Sequence, residues 1–175
     1  MMTKDFKDLL RALNANKAEY LIIGGHAFGA YSAPRTTKDL DLFIRSDPEN
    51  AKAVFRALAE FGAPLQGMSP ADFTDGATFQ IGQEPDRIDV LQCIDGVTFE
   101  EAWEHRTQGM VDDEVPACII SRDDLIRNKL ASGREQDLLD VKVLRAAEKA
   151  TRSASGQSRA GKRKPPRRSS SRPKN

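Results

Sequence analysis

Apolar residues along the first 150 positions switch between helical and strand periods. Phe6, Leu9, Leu10 and Leu13 recur at helical spacing and predict an amphipathic helix over 4–14. The β-rich run over 19–23, Glu-Tyr-Leu-Ile-Ile, stops at Gly24-Gly25, and the small and apolar residues up to 33 predict a compact second helix. Over 39–45 the order Asp-Leu-Asp-Leu-Phe-Ile-Arg is a period-two strand with Leu40, Leu42 and Ile44 on one face. Asp47-Pro48 reads as an N-cap followed by proline in the first helical turn. Behind it Ala51, Val54, Phe55, Leu58 and Phe61 form a helical stripe that Gly62 closes.

The middle of the chain is less regular. The pattern predicts an irregular stretch over 65–76, a strand over 77–81 and a better strand over 87–92, where Ile88 and Val90 face one way and Asp89 the other. A helix over 98–106 has Thr98 as cap with Glu100 and Glu101 in its first turn. A short strand over 115–120 follows. Ser121 then caps a helix with Asp123 and Asp124 in its first turn, and Gly133 separates it from a last helix over 135–149. Interleaved helices and strands of this kind predict one α/β domain that ends in a C-terminal helix pair.

Charge divides the chain at the same place as pattern does. The net charge is +1, yet nine of the 27 Lys and Arg residues and no acidic residue lie within 151–175. The first 150 residues therefore hold 18 basic against 26 acidic residues, a charge of −8, and the remainder carries +9. Residues 151–175 are Ser, Arg, Lys, Pro and Gly with only two alanines as apolar residues. Such a segment buries too little to offset roughly 1–2 kcal/mol per residue of backbone entropy, so a domain over 1–150 and a disordered basic tail over 151–175 are expected. The tail's composition suits salt-dependent contact with an RNA backbone, or simply keeps the chain soluble.

Other classes are excluded by what the pattern lacks. The longest weakly polar run, 21–33, falls short of the roughly 20 residues of a membrane span. Lys4, Asp5, Lys7 and Asp8 leave no secretory core at the start. Cys93 and Cys118 make neither a disulfide framework nor a zinc site, and are expected as buried thiols in a reducing cytoplasm.

Asp39 and Asp41 stand two apart in a strand, so both side chains leave one face with Cα atoms about 6.5 Å apart. Carboxylates that converge to about 4 Å repel by roughly 4 kcal/mol at an effective dielectric of 20. A divalent cation such as Mg²⁺ reverses that sign, whereas a solvated strand face tolerates the pair without one. Asp89 lies in phase on a second strand. If the two strands are neighbours, three carboxylates meet at one edge, enough to hold two cations across a phosphoryl transfer. Gly24-Gly25 ends a strand and opens a helix, where backbone N–H groups and the helix N-terminus favour anions. His26, in the first turn, is positioned either to hydrogen-bond a phosphate or simply to pack.

The stretch Ile23-Gly24-Gly25 through Asp39-Leu40-Asp41-Leu42, with thirteen residues between Gly25 and Asp39, resembles the signature of the DNA polymerase beta-type nucleotidyltransferase superfamily. Its Gly-Gly-His-Ala and Pro-Arg-Thr-Thr-Lys-Asp-Leu-Asp-Leu are similar to small prokaryotic minimal nucleotidyltransferases, including the AbiEii-like toxin group. Similarity returns around Asp89 and again from Asp124 through Lys129, Arg134, Asp137 and Asp140, and spans about 17–144.

The resemblance implies a nucleotidyltransferase core, a short mixed sheet flanked by helices, in which Asp39, Asp41 and Asp89 bind two Mg²⁺ ions and the nucleotide triphosphate, while Gly24 and Gly25 hold phosphates. It adds Arg35, Thr36 and Lys129 as nucleotide contacts, although Arg35 also fits an ordinary loop arginine. The superfamily's commoner Gly-Ser is absent here, so phosphate contact rests on backbone N–H groups or other side chains. The implied activity is transfer of an NMP, from ATP or another NTP, to an RNA (tRNA-like) or protein hydroxyl with release of pyrophosphate. Some members are toxins of a toxin–antitoxin pair, which makes a cognate antitoxin an expected partner. The competing expectation is a non-catalytic nucleotide- or RNA-binding module with a degenerate site, against which the presence of all three carboxylates argues.

Several residues keep a plainer alternative. Lys129 also fits a surface lysine with its stem along the core, and Arg134 with Asp137 fits a simple pair at a helix start. Trp103 with Phe99 reads as core, and His105, among Glu101, Glu104 and Arg106, as surface.

Overall fold

The computed structural model describes residues 2–33, 37–83 and 86–160, the last nine of these as backbone only. Among the described residues the fold is α/β, with six α-helices around a six-stranded mixed sheet. In chain order these are α1 (Lys4–Ala15), β1 (Tyr20–Ile22), α2 (Gly24–Tyr31), β2 (Leu40–Ile44), α3 (Pro48–Phe61), β3 (Thr78–Ile81) and β4 (Ile88–Leu91). They continue as α4 (Phe99–Glu104), β5 (Thr107–Val111), β6 (Val115–Ile119), α5 (Arg122–Ser132) and α6 (Glu135–Ala160).

The strand order is β3-β4-β2-β1-β6-β5. β2 runs antiparallel to β1 but parallel to β4, and β1 runs parallel to β6. Side-chain alternation then sorts the core into two layers. Leu40, Leu42, Ile44, Ile88 and Val90 pack with Phe6, Leu9, Leu10 and Leu13 of α1 and with Val54 and Leu58 of α3. Leu21, Ile23 and Phe43 point the other way, onto Phe28, Phe99, Leu125, Ile126, Val141 and Leu144. Full burial of each such side chain contributes about 1.5–3 kcal/mol. The carboxylates of β2 and β4 alternate with the first layer and so belong to the second face, which α2, α5 and α6 cover.

The caps follow the sequence. Asp47 accepts from the Glu49 and Asn50 N–H groups, Pro48 sits in the first turn, and Gly62 ends α3 at φ 90°. Thr98 and Glu101 cap α4 reciprocally, and Ser121 accepts from Asp124 N–H at the start of α5.

Three elements differ from expectation. A 3₁₀ turn, Pro70–Phe73, lies inside the supposedly irregular stretch and places Phe73 fully in the core. β5 was not expected, because as an edge strand it exposes most of its residues and shows no alternation of burial. Asp112 and Asp113, both at positive φ, turn it into β6 in the manner of a type I′ hairpin. α6 runs to Ala160, past the expected boundary at 149: no proline interrupts the chain before Pro165, and Ala, Arg and Gln favour continuation. Residues 161–175 lie outside the described residues. No described helix is long and apolar enough to cross a membrane.

Candidate active site

β1 delivers the chain to Gly24 beside the start of β2, where Ile23 N–H donates to Asp41 O at 3.0 Å. Gly24 has φ 60°, and a Cβ there would lie 2.0 Å from Asp41 Oδ2. A Cβ on Gly25 would lie 2.4 Å from Thr37 Oγ1. Two glycines therefore let the first turn of α2 settle against the start of β2. Ile23, at the N-cap of α2, offers no side-chain oxygen, so the N-cap residue leaves the N–H groups of that turn without a side-chain cap.

The parallel ladder between β2 and β4 pairs Asp41 with Asp89, and Leu40 N–H donates to Arg87 O at 2.9 Å. Asp39, Asp41, Arg87 and Asp89 thus occupy four adjoining positions on one face of two neighbouring strands. Arg87 Nη2 donates to Asp39 Oδ2 at 3.1 Å, and its Nε lies 3.1 Å from Asp89 Oδ1 without hydrogen-bond geometry. Asp39 Oδ1 and Asp89 Oδ1 are buried and accept no hydrogen bond among the described residues. Burial, then the charges of Asp89 and Asp39, push the Asp41 carboxyl up to about 6.

α5 and α6 form the opposite wall. Lys129 is only 5% exposed, and its Nζ donates to Asp137 Oδ1 and to Asp140 Oδ2, each at 2.7 Å. Gln136 Nε2 completes the cluster at Asp140 Oδ1, 3.0 Å away. Lys129 is therefore not a surface lysine, and it is Lys129 that reaches Asp137 where a pair with Arg134 was the simpler expectation. A cleft of about 220 Å³ opens between the walls, lined by Gly24, Asp41, Cys93, Asn128, Lys129 and Arg134 among others.

The expected site residues separate into three groups. Gly24, Gly25, Asp39, Asp41, Asp89 and Lys129 come together around the starts of the interior strands β2 and β4. His26 shares the α2 turn but turns away: its ring meets Phe6 edge-to-face at 5.8 Å, and burial holds its pKa below the usual value. Arg35 and Thr36 lie outside the described residues. Arg87 is the residue that sequence reasoning missed, although it shares the strand phase of Asp89.

Other expectations need adjustment. Cys93 is exposed and Cys118 half-buried, so neither is the fully buried thiol expected, though both are free. His105 is exposed, yet its Nδ1 lies 3.1 Å from the buried Asp124 carboxylate. Phe99 is core as expected; Trp103 stacks on it at 5.5 Å and carries Arg106 on its outer face.

Among the described residues no three acidic, histidine or cysteine side chains converge as a ready-made cation site. The arrangement nevertheless fits divalent cations. Two buried carboxylate oxygens lack donors among the described residues, a third carboxylate stands in register with one of them, and a single guanidinium offsets only one of the three negative charges.

A family model described as "Nucleotidyltransferase of unknown function (DUF6036)" matches residues 2–148. The chain belongs to this nucleotidyltransferase family. Among solved structures, this nucleotidyltransferase is similar to the lincosamide antibiotic adenylyltransferase LnuA bound to lincomycin. The two share 15% identity and a TM-score of 0.54 over 83% of this chain and 98% of that one, a likeness of fold. A search of curated proteins gives no match.

Proposed function

We propose that this nucleotidyltransferase transfers an NMP from an NTP to a hydroxyl on RNA or protein, with Mg²⁺ held by Asp39, Asp41 and Asp89. The observation that carries the reading is the Asp41–Asp89 register on adjacent parallel strands, facing the cleft side of the sheet. Bound Mg²⁺ would neutralise the triphosphate and lower the pKa of the attacking hydroxyl. The chain's own part is to orient. Asp39, Asp41 and Asp89 fix the charge at the starts of β2 and β4, and Gly24 and Gly25 bring the N–H groups that the N-cap residue of α2 leaves uncapped against it. Lys129, on the far wall of the cleft, would reach the triphosphate by exchanging one of its ion pairs with Asp137 and Asp140.

The +9 charge of 151–175 supports an RNA acceptor, because a polyanion is drawn to it whatever its sequence. The AbiEii-like resemblance extends the reading to the toxin of a toxin–antitoxin pair, with a cognate antitoxin as partner; the sequence segments alone support that extension. A second reading, a small hydroxylated acceptor, is favoured by the fold likeness to a lincosamide adenylyltransferase.

Incubation with each α-labelled NTP and Mg²⁺, with total tRNA, cytosolic protein or lincomycin as acceptor, separates these. Label on RNA or protein is expected. Label on lincomycin alone would move the function to the second reading. Intact NTP binding with no transfer to any acceptor would leave a non-catalytic binding module.

A further inference from the structure

Strand alternation puts Arg87 on the same face as Asp89, beside Asp39 on the neighbouring strand. The four side chains together carry three negative charges and one positive. The guanidinium reaches Asp39 Oδ2 and Asp89 Oδ1, each at 3.1 Å, which places it where it shares two of the three proposed cation ligands. Its side chain is 31% exposed, so it has a route toward solvent that the 11% exposed Asp89 side chain lacks.

We infer that Arg87 is a built-in counter-ion that holds Asp39 and Asp89 in place without metal and competes with the divalent cation for them. The inference rests on the Mg²⁺ reading above. It follows from electrostatics at short range. Three carboxylates confined on two strands repel one another, and a guanidinium between two of them offsets that repulsion and keeps them oriented. An incoming cation must displace a positive charge that is hydrogen-bonded to Asp39 and lies 3.1 Å from Asp89. Arg87 is thus a positioning residue: it lowers cation affinity while preserving the geometry the cation needs. A purely structural strut would instead show weaker cation binding once removed, because the ligands would lose their orientation.

The test compares full-length wild type, Arg87→Gln and Arg87→Lys by Mg²⁺ calorimetry and by loss of the free Mn²⁺ electron-spin signal, at fixed pH and ionic strength. Removal of the charge is expected to tighten cation binding by roughly tenfold. Lysine, a point charge that cannot bridge both carboxylates, should fall between. Melting temperature gives a second readout: without cation Arg87→Gln should melt below wild type, and added Mg²⁺ should raise its melting temperature by more. Unchanged or weaker cation binding in a folded Arg87→Gln would overturn the inference. If Arg87→Gln does not fold, wild-type affinity in Arg87→Lys would overturn it equally. Failure of wild type and both variants to bind Mg²⁺ or Mn²⁺ would instead remove the metal reading on which the inference stands.

Discussion

Gly24 carries two constraints at once, a left-handed backbone and contact with Asp41 Oδ2 closer than any Cβ permits. Gly24→Ala should cost about 1–2 kcal/mol from the backbone alone, and more from displacement of Asp41. Urea unfolding should register that loss, and NMP transfer should fall beyond it. Asp41 pulls in the opposite sense. Its folded pKa of about 6 lies above the unfolded value of 3.8, so its ionisation opposes folding as pH rises from about 4 to 6 and costs up to about 3 kcal/mol above that window. Cation-free Asp41→Asn should therefore melt above wild type at pH 8, with the gap closing toward pH 4. At this scale the acids were legible because a period-two strand fixes which way Asp39, Asp41 and Asp89 point. Arg87 obeys the same rule, but only the register of β2 on β4 reveals that it meets two of them.

The α5–α6 hairpin shows where the sequence falls silent at the scale of elements. Gly133 at φ 67° folds α6 back on α5, and only that crossing brings Lys129 to Asp137 and Asp140, eight and eleven residues on. Local spacing instead favoured Arg134 with Asp137. Lys129→Met should destabilise by about 3–5 kcal/mol, since it takes the ammonium from the buried Asp140 and the half-buried Asp137. Chemical denaturation measures this, and Lys129→Met combined with Asp140→Leu should recover part of the loss. Helices with an apolar stripe, such as α1 and α3, were readable because burial follows the 3.6-residue period directly. β5 and the turn at Phe73 were not. The first is an exposed edge, and the second is anchored by one phenylalanine whose partners, Phe55 and Phe79, lie on separate elements.

For the whole molecule, the −8 and +9 parts have distinct assignments: the acids of the first include the proposed ligand set, and the second holds nine bases and no acid. Removing 161–175 deletes seven Lys and Arg residues. The melting temperature should not change, while the log–log salt slope for RNA binding should fall by as much as roughly 5. An unchanged slope would exclude that segment from RNA contact. Fold class was legible because helix and strand signals alternate along the chain; strand order was not, since β2 lies between β1 and β4 through contacts that no local pattern encodes. The central claim, that Asp39, Asp41 and Asp89 support cation-dependent nucleotidyl transfer, meets its most direct test in Asp41→Asn. That variant is expected to be more stable than wild type, so unfolding cannot explain a loss of activity. With Mg²⁺, NTP and the acceptor that wild type labels, pyrophosphate release should fall at least about 100-fold. Release at the wild-type rate would contradict the account.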